Sequence, residues 1–325
     1  MASQLRIGII GATGYTGEEL VRLLLNHPRI TITTLTSEQQ AGTAYAVACP
    51  QFRRQLDLIL EPLNVSSIAK RIDLAFLCLP HHASAKTAAD FLKRGVRVID
   101  LSADFRLRDR AVYETWYGPH PVPALLKSAV YAIPELLKNV KIVLKKTSLI
   151  ANPGCYPTSI ALGLAPLLKA GWIDTDHIIC DSKSGTTGAG RGAAAERLFC
   201  EVNENFYAYK VASHRHTPEI EQMLSDIAEK PITVQFTPHL LPIDRGILST
   251  IYARATNACK PNEIHALFDS FYRGKPFVRV LPNGTYPQIK HVVRSNYCDI
   301  GATYDARTNN VIVVSAIDNL TKALS

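Results

Sequence analysis

The first hundred residues alternate short apolar runs with segments whose apolar residues recur at helical spacing. The run Leu5–Ile10 ends at glycine, and in the segment Thr16–Leu25 the residues Leu20, Leu23 and Leu24 share one helical face. The same alternation continues through a helix and three more strands: Thr31–Leu35, Asp73–Leu79, Ala83–Arg94 (the helix) and Val96–Leu101. This pattern predicts a parallel sheet with helices on both faces.

From about Asn152 the pattern changes. Pro157–Ala170 predicts an amphipathic helix that begins with proline, ends at Gly171 and is kinked at Pro166. Strand-like runs with long connections follow at Ile178–Cys180, Ile232–Thr237, Ile247–Ala255, Val278–Val280, Val292–Asn296 and Val311–Ala316. These runs predict a second domain with a mixed or antiparallel sheet, so the expected fold class is α/β.

Composition narrows the classes of function. The 325 residues are 47% apolar, which is enough for about two packed domains. No run approaches 18 apolar residues, and the N-terminus does not resemble a signal peptide, so we expect no membrane contact. The net charge of +8 is scattered without a run of like charges, which favours solvated surface charge over a nucleic-acid face. Anionic metabolites remain compatible with it.

The seven cysteines do not form a disulfide or zinc pattern. Their number is odd and none stands in a C-x-x-C motif. These features predict a cytoplasmic, reducing environment and no bound metal. Most of the cysteines are expected to be small core residues.

A glycine-rich turn follows the first strand and precedes the first helix. Glycines in this position let the main chain approach a pyrophosphate, whose charge is stabilised by the helix N-terminus. Because Ala12 replaces one glycine of the strict G-x-G-x-x-G pattern, a tight turn without a ligand remains an alternative. The candidate cofactor-binding residues of the turn are Gly11, Thr13, Gly14, Tyr15, Thr16 and Gly17.

The end of the second strand indicates which dinucleotide would bind. An NAD site usually carries an acidic residue there, whereas this strand ends in Thr36 and Ser37, followed by Glu38. Hydroxyl groups can donate to a 2′-phosphate, so NADP(H) is favoured over NAD, with Ser37 as a candidate contact. Glu38 is an unfavourable neighbour for that phosphate.

One cysteine, Cys155, stands immediately before the predicted helix of the second half. Main-chain N–H groups and the helix dipole at this position stabilise a thiolate and could also hold an oxyanion. The alternative is a buried structural cysteine. A nucleophilic thiol beside a nicotinamide site predicts acyl transfer to sulfur coupled to hydride transfer.

A pair of histidines, His214 and His216, precedes another predicted helix, with Thr217 as its N-cap and Pro218 as its first residue. Proximity to a helix N-terminus favours the neutral form of imidazole, which suits a general base. We expect His216, nearer the helix, to be the more firmly neutral, and His214 to reach the thiol. The alternative is a pair of surface histidines.

Two glycine- or serine-rich segments and one loop could bind anions. They are D-L-S-A-D-F-R, S-K-S-G-T-T-G-A-G-R and P-I-D-R-G, and their candidate residues are Arg106, Ser184, Gly185, Arg191 and Arg245. The first segment follows a strand of the parallel sheet, where α/β proteins bind ligands. For each arginine a structural or surface role is the alternative.

Six motifs together resemble the N-acetyl-γ-glutamyl-phosphate reductase family, which makes N-acetylglutamate semialdehyde in arginine biosynthesis. They run in order along nearly the whole chain: G-A-T-G-Y-T-G, D-L-S-A-D-F-R, N-P-G-C-Y-P-T, S-G-T-T-G-A-G-R, H-R-H-T-P-E-I and F-T-P-H-L-L-P-I-D-R-G-I-L. The resemblance implies a Rossmann-type NADP-binding domain in residues 1–151 and an α+β catalytic and dimerisation domain in 152–304. It also implies that residues 305–325 return to the first domain, and that the protein is a homodimer or homotetramer.

The resemblance further implies a role for each site residue. Cys155 would form the thioacyl intermediate, and His214 and His216 would supply acid/base catalysis and substrate contacts, with Glu219 nearby as a further substrate-binding residue. The glycine turn would bind NADP(H). Arg106 would contact the phosphate of the acyl phosphate substrate, by similarity to aspartate-semialdehyde dehydrogenases.

The resemblance has one departure and three competing interpretations. Family members usually follow A-I-D-N-L with a Gly-rich helix containing G-Q-A, whereas this sequence ends at Ser325, so we expect weaker contacts on the nicotinamide side. The homologous amino-adipyl-phosphate reductase of lysine biosynthesis differs by one substrate methylene, which sequence does not resolve. Glyceraldehyde-phosphate dehydrogenase lacks support because S-C-T-T-N is absent. A non-catalytic NADPH-binding sensor would need neither Cys155 nor the histidines.

Overall fold

The computed structural model describes residues 4–257 and 261–324, which form two compact units. The first unit comprises residues 4–132 and Lys138–Pro153. The second comprises Ile133–Leu137 and Gly154–Ala323. None of the helices within the described ranges has both the length and the apolar character needed to cross a membrane.

Six parallel strands form the sheet of the first unit, in the order β2-β1-β3-β4-β6-β5. The strands are β1 (Leu5–Ile10), β2 (Ile30–Thr36), β3 (Leu74–Leu77), β4 (Arg97–Asp100), β5 (Val130–Tyr131) and β6 (Leu149–Ala151). The helices are α1 (Tyr15–Leu24), α2 (Tyr45–Ala48), α3 (Val65–Ile68), α4 (Ala83–Leu92), α5 (Arg110–Tyr117) and α6 (Val140–Lys146). The predicted parallel sheet is confirmed. Because β1 lies between β2 and β3, the strand order reverses at β1, where such sheets bind ligands at the strands' carboxyl ends.

Alternating side chains of the central strands bury opposite faces of this sheet. Ile9 packs with Leu20 of α1 on one face, whereas its neighbour Ile10 packs with Ala85 and Phe91 of α4 on the other. Strands buried on both faces are expected to be apolar throughout, as the sequence of β1 is. The helix-on-both-faces arrangement therefore follows from the composition of the strands.

A seven-stranded mixed sheet forms the second unit, in the order β11-β12-β13-β10-β7-β9-β8. The strands are β7 (Ile173–Ser184), β8 (Tyr207–Ala208), β9 (Val234–Leu240), β10 (Ile247–Ala255), β11 (Val278–Val280), β12 (Cys298–Asp305) and β13 (Asn310–Ile317). The helices are α7 (Cys155–Ala170), α8 (Phe199–Val202), α9 (Thr217–Ala228) and α10 (Pro261–Tyr272). Only the pairs β7–β9 and β11–β12 are parallel, so the predicted mixed sheet is confirmed.

Helix α7 is buried along most of its length against the centre of this sheet. Small residues allow the close approach: a Cβ on Gly163 would lie 3.0 Å from the Ile251 side chain. The Ser159 hydroxyl bonds those of Ser249 (3.0 Å) and Ser315 (3.1 Å), so the buried polar groups satisfy one another. The helix continues through Pro166 rather than ending there.

Three features of the second unit differ from the sequence-based expectations. The predicted strand Val292–Asn296 is absent from the described secondary structure of that segment, which is a turn after the short 3₁₀ helix Ile289–His291. The strand β12 was missed, since Asp299 and Gly301 interrupt its apolar pattern. The expected return of residues 305–325 to the first unit is wrong for β13, which pairs with both β10 and β12 in the second sheet.

Candidate functional site

The turn between β1 and α1 brings the main chain of strand and helix unusually close together. Gly11 has a φ of +87°, and a Cβ there would lie 2.6 Å from the Cys78 carbonyl oxygen. A Cβ on Gly17 would lie 2.5 Å from the Gly11 carbonyl oxygen. Both glycines are therefore required by packing within the chain. Gly14, the N-cap of α1, is different, because the nearest atom to its Cβ would be 3.7 Å away, an ordinary van der Waals distance, so packing within the chain does not require a glycine there.

Hydroxyl groups gather beside this turn at the end of β2. The Thr13 and Ser37 hydroxyl oxygens lie 3.0 Å apart, and the Gly11 N–H donates to the Thr36 hydroxyl across 3.1 Å. The Glu38 carboxylate accepts the main-chain N–H of Leu63 at 2.9 Å. The structure thus brings together the two hydroxyl residues that the sequence assigned to the cofactor. The Glu38 carboxylate, the unfavourable neighbour for a 2′-phosphate, is bonded to the main chain at Leu63.

Tyr15 and Thr16, the other two cofactor candidates of this turn, are the first residues of α1. The first N–H groups of a helix have no acceptor within the helix, so they are available to an anionic ligand. The Thr16 hydroxyl also bonds the Cys78 thiol, whose pKa burial raises to about 12. That thiol is therefore protonated near neutral pH, as expected of a structural cysteine.

Arg106 is nearly buried in the first unit, and its described hydrogen bonds go to the main chain. Its Nε donates to the Asn152 carbonyl at 2.8 Å, and one terminal nitrogen donates to the Leu101 carbonyl at 2.9 Å. The neighbouring Asp104 accepts main-chain N–H groups at the start of α4, including that of His82 at 2.8 Å. The segment D-L-S-A-D-F-R therefore has a clear structural role, and phosphate binding by Arg106 stays a prediction.

Cys155 is the first residue of α7, two residues before the predicted helix start, and is half-buried. The N-cap residue Gly154 donates its N–H to the Glu219 carboxylate across 2.7 Å. Glu219 is only 1% exposed, so this charge-assisted bond joins the start of α7 to α9 in the core of the second unit. This bond positions the turn that carries Cys155, and contact of Glu219 with substrate stays a prediction.

The remaining cysteines differ from Cys155 in their surroundings. Cys49, Cys180 and Cys298 are buried, and burial raises the pKa of Cys298 to about 12 and that of Cys180 further. Cys200 is exposed, contrary to the general expectation of core packing. Cys259 lies outside the described residues.

The two histidines precede α9, whose first residue is Thr217, with His216 rather than Thr217 in the N-cap position. The His216 main-chain N–H donates to Nδ1 of His214 at 3.1 Å, and the two rings are 4.9 Å apart. Neither ring is fully exposed, which argues against a pair of ordinary surface histidines. The structure therefore groups the pair as one unit at the start of a helix.

Three aromatic rings surround His214, and their positions around it were not predicted from the sequence. The ring centroids of Tyr156, Tyr209 and Phe236 lie 5.5, 5.6 and 5.4 Å from that of His214. The Tyr156 and Tyr209 hydroxyls are 3.0 Å apart. Burial lowers the pKa of His214 to about 3, with smaller contributions from His216 and neighbouring cations. The ring of His214 is therefore enclosed rather than outward-reaching, and which of the two histidines is the more firmly neutral stays a prediction.

The glycine-rich loop after β7 pairs with the loop that carries Arg245. Gly185 donates its N–H to the Gly246 carbonyl at 2.9 Å, and a Cβ on Gly185 would lie 2.8 Å from the main-chain nitrogen of Arg245. Ser184 is buried at the end of β7 and hydrogen-bonds the Tyr156 hydroxyl. Arg191, further along the loop, is exposed. Two of the candidate anion-binding segments are thus adjacent in the second unit.

Asp318 and Asn319 hold these loops in place, and sequence reasoning had not assigned them a role. The Asn319 side chain accepts the Gly246 N–H at 2.7 Å and donates to the Thr187 hydroxyl at 3.0 Å. The buried Asp318 carboxylate lies 3.7 Å from a terminal nitrogen of Arg245. An acidic residue and an amide directly after a strongly apolar strand were the signal that could have identified them.

Two family models match most of the chain. The NAD binding domain of semialdehyde dehydrogenases matches residues 6–142, and the semialdehyde dehydrogenase dimerisation domain matches residues 155–319. The N-acetyl-gamma-glutamyl-phosphate reductase of Citrifermentans bemidjiense is 53% identical over 322 residues, which are 99% of this chain and 92% of that protein. The reductase of the same name from Geobacter metallireducens is 54% identical over 319 residues, 98% of this chain and 91% of that protein. The chain belongs to the N-acetyl-gamma-glutamyl-phosphate reductase family.

Solved structures share the fold of this reductase-family chain. Aspartate semialdehyde dehydrogenase II from Vibrio cholerae has a TM-score of 0.74 at 17% identity and covers 99% of this chain and 95% of its own. The enzyme from Candida albicans, solved with NADP, has a TM-score of 0.73 at 17% identity, covering 99% of this chain and 96% of its own. Within the described residues of this family member, no cluster of three or more His, Cys, Asp or Glu side chains is arranged to hold a metal ion.

Substitution of Glu219 tests its positioning role in this reductase. We expect Glu219→Ala to lower the free energy of unfolding by about 1–3 kcal/mol, because it leaves the buried Gly154 N–H without its acceptor. Glu219→Gln keeps an oxygen acceptor and should retain most of both stability and kcat. Urea unfolding and steady-state kinetics measure the two effects. Equal loss of kcat in both variants without loss of stability would instead mean that the carboxylate charge acts on substrate.

Proposed function

We propose that the protein catalyses NADPH-dependent reduction of N-acetyl-γ-glutamyl phosphate to N-acetylglutamate 5-semialdehyde and phosphate, a step of arginine biosynthesis in the cytoplasm. The observation that carries the proposal is the half-buried Cys155 at the start of α7, whose neighbour Tyr156 contacts the rings of both histidines, in a chain 53% identical to a reductase of that name. A non-catalytic dinucleotide-binding protein would not require a cysteine at a helix N-terminus.

The turn after β1 fits a dinucleotide. Gly14 is not required by the chain's own packing, and it is the N-cap of α1, where main-chain N–H groups suit a pyrophosphate. Thr13 and Ser37 would hold the adenosine ribose and its 2′-phosphate. Ser184 and Gly185 stay the other two residues predicted to bind the cofactor. When bound, the nicotinamide supplies the hydride that reduces the acyl carbon.

Cys155 supplies the nucleophile in this proposal. Its thiolate attacks the acyl carbon, a C–S bond forms and the C–O bond to phosphate breaks, which gives a thioacyl enzyme and inorganic phosphate. The first N–H groups of α7 stabilise both the thiolate and the developing oxyanion. Glu219 keeps this helix start in position through Gly154.

The other charged candidates would bind the anionic substrate. Arg245 is mostly buried beside Asp318, which fixes its guanidinium for recognition of a phosphate or carboxylate. Arg191 lies on an exposed part of the glycine-rich loop and would close on the substrate from there. Arg106 would contact phosphate in addition to its structural bonds.

Substrate length is the main question within this chemistry, because the amino-adipyl-phosphate analogue is only one methylene longer. A methylene changes transition-state binding by about 1–3 kcal/mol. We therefore expect kcat/KM for N-acetyl-γ-glutamyl phosphate to exceed that for the longer acyl phosphate by about tenfold or more. NADPH oxidation with each substrate measures this ratio, and a preference for the longer one would assign the chain to the lysine reaction.

Cofactor preference gives a separate prediction. Because Thr13 and Ser37 present hydroxyls rather than a carboxylate at the end of β2, kcat/KM should be higher for NADPH than for NADH. Ser37→Asp should reverse the preference, since a carboxylate repels the 2′-phosphate and accepts from a ribose hydroxyl. Ser67→Asp, the same change at an exposed serine of α3 in the same unit, provides the control. Equal kcat/KM values for the two cofactors in the unmodified protein would contradict the assignment.

We expect the protein to be a homodimer or homotetramer, and the dimerisation-domain match supports an oligomer. The face of the second sheet opposite α7 supports this proposal. Along β10, side chains from Leu248 to Tyr252 are alternately buried and partly exposed, and Tyr252 is 38% exposed. Apolar residues on such a partly exposed sheet face are typical of a surface that another subunit covers.

A further inference from the structure

The hydrogen bond between the two histidines determines where His214 carries its proton. The main-chain N–H of His216 donates to Nδ1 of His214 across 3.1 Å. A main-chain amide can only donate, so Nδ1 must present its lone pair. The single proton of the neutral imidazole therefore lies on Nε2. Adding a proton to Nδ1 would place two N–H groups against each other and lose this bond.

The surroundings of the ring favour the same neutral form. Tyr156 on α7, Tyr209 before the histidine loop and Phe236 on β9 enclose the ring and remove water from it. This burial is the largest influence that lowers the pKa of His214. A low-dielectric environment disfavours the imidazolium ion.

The charges that face His214 act in both directions. His216, Lys210 and Arg215 oppose a positive charge on the ring, whereas Glu219 of α9 favours one. Cys155 interacts electrostatically with the two tyrosines that contact the ring, so the thiol lies close to the same cluster. The net effect of these charges, together with burial, keeps the ring neutral over the pH range in which a cytoplasmic enzyme works.

We propose that His214 is a neutral hydrogen-bond donor, whose Nε2–H binds the oxygen of the reacting acyl group, and that it does not transfer a proton during turnover. This inference rests on the proposed function. It separates two roles that the sequence had left to either histidine. His216 remains the imidazole that removes the proton from the Cys155 thiol.

The reaction does not require His214 to give up its proton. The Cys155 thiolate forms the C–S bond as phosphate leaves, and the acyl carbon then accepts a hydride while its oxygen becomes negatively charged. That charge re-forms the C=O bond as the C–S bond breaks and the thiolate returns. The oxygen begins and ends without a proton, and the one proton that the overall reaction consumes goes to phosphate. A fixed neutral donor stabilises the charged oxygen throughout.

Nitrogen NMR of the unmodified protein tests the protonation state without reference to activity. With ¹⁵N-labelled histidine, we expect the His214 ring to show a protonated Nε2 and an unprotonated Nδ1, with no titration between about pH 5 and 9. His214→Gln identifies the signals by their loss. Titration of this ring within that range, or a proton on Nδ1, would overturn the proposal. The result stands even if N-acetyl-γ-glutamyl phosphate is not the substrate.

Paired substitutions test the consequence for catalysis. Glutamine places an amide donor near the position of Nε2 but cannot titrate, so His214→Gln should keep kcat about tenfold or more above His214→Ala, with an unchanged pH profile. His216→Gln and His216→Ala should both lose about 10²-fold, because neither side chain can accept the thiol proton. Equal losses in the two His214 variants, with loss of the histidine limb of the pH profile, would show that His214 transfers a proton.

Discussion

Cys155→Ser should abolish turnover while leaving NADPH binding intact. A serine hydroxyl at the start of α7 is far less ionised than a thiol, and it would form an ester that is less readily reduced. We expect kcat to fall by about 10⁴-fold or more, as when other enzymes lose their nucleophile. We expect no change in cofactor affinity, because the residues proposed to hold the adenosine part of NADPH, Thr13 and Ser37, do not include Cys155. Initial rates and fluorescence titration with NADPH measure the two quantities.

The control is the same chemical change at an exposed position. Cys200 is exposed and contributes nothing to the proposed chemistry, so Cys200→Ser should keep the activity of the unmodified protein. Mass spectrometry after brief exposure to N-acetyl-γ-glutamyl phosphate without NADPH should show an added acyl group on the peptide containing Cys155. More than a few per cent of residual activity in Cys155→Ser would remove this residue as the nucleophile.

Lys322→Met should cause the largest loss of stability among single changes in the second unit. Lys322 forms an ion pair with Glu135, and the two side chains are 2% and 7% exposed. Removing the lysine leaves a carboxylate buried without its cation, which costs about 3–5 kcal/mol. The variant's free energy of unfolding, measured in urea, should fall by that amount.

Two further variants separate the ion pair from general effects of losing a lysine. Lys169 pairs with Glu229 at 2.9 Å on the surface, so Lys169→Met should cost less than about 1 kcal/mol. Adding Glu135→Leu to Lys322→Met should restore most of the lost stability, since no buried charge then remains. If Lys322→Met costs no more than Lys169→Met, the buried pair does not stabilise this unit.

Local sequence pattern predicted the fold where one periodicity dominates. The continuous apolar run of β1 and the turn that follows it specify a strand, a close approach and a helix start. The pattern was less informative in the second unit. β7 extends over Ile173–Ser184, but the polar residues D-T-D-H near its start concealed all except its centre. β10 pairs with β7 on both sides of those polar positions, at Ile173 and from Ile178 onwards, so they belong to one strand, and such pairing is a property of the assembled sheet.

In the candidate site, too, the sequence indicated some features and the assembled fold determined the others. The residue types of Cys155, His214 and His216 indicated their chemistry, because thiol and imidazole at helix starts have few common structural uses. Their partners lie far away along the chain: Gly154 and Glu219 are 65 positions apart. The enclosure of His214 by rings from α7 and β9 likewise arises only from packing. Residue type therefore suggested which groups react, whereas the fold determines how His214 is kept neutral and what Glu219 holds.

The most direct test of the proposed function is the reverse reaction with purified protein. N-acetylglutamate 5-semialdehyde and NADP⁺ are supplied, and formation of NADPH is followed at 340 nm (about the nicotinamide absorption maximum) with and without inorganic phosphate. The account predicts steady NADPH formation only when phosphate is present, because phosphate must release the acyl group from Cys155. Sustained formation at the same rate without phosphate, or none with it, would contradict the account.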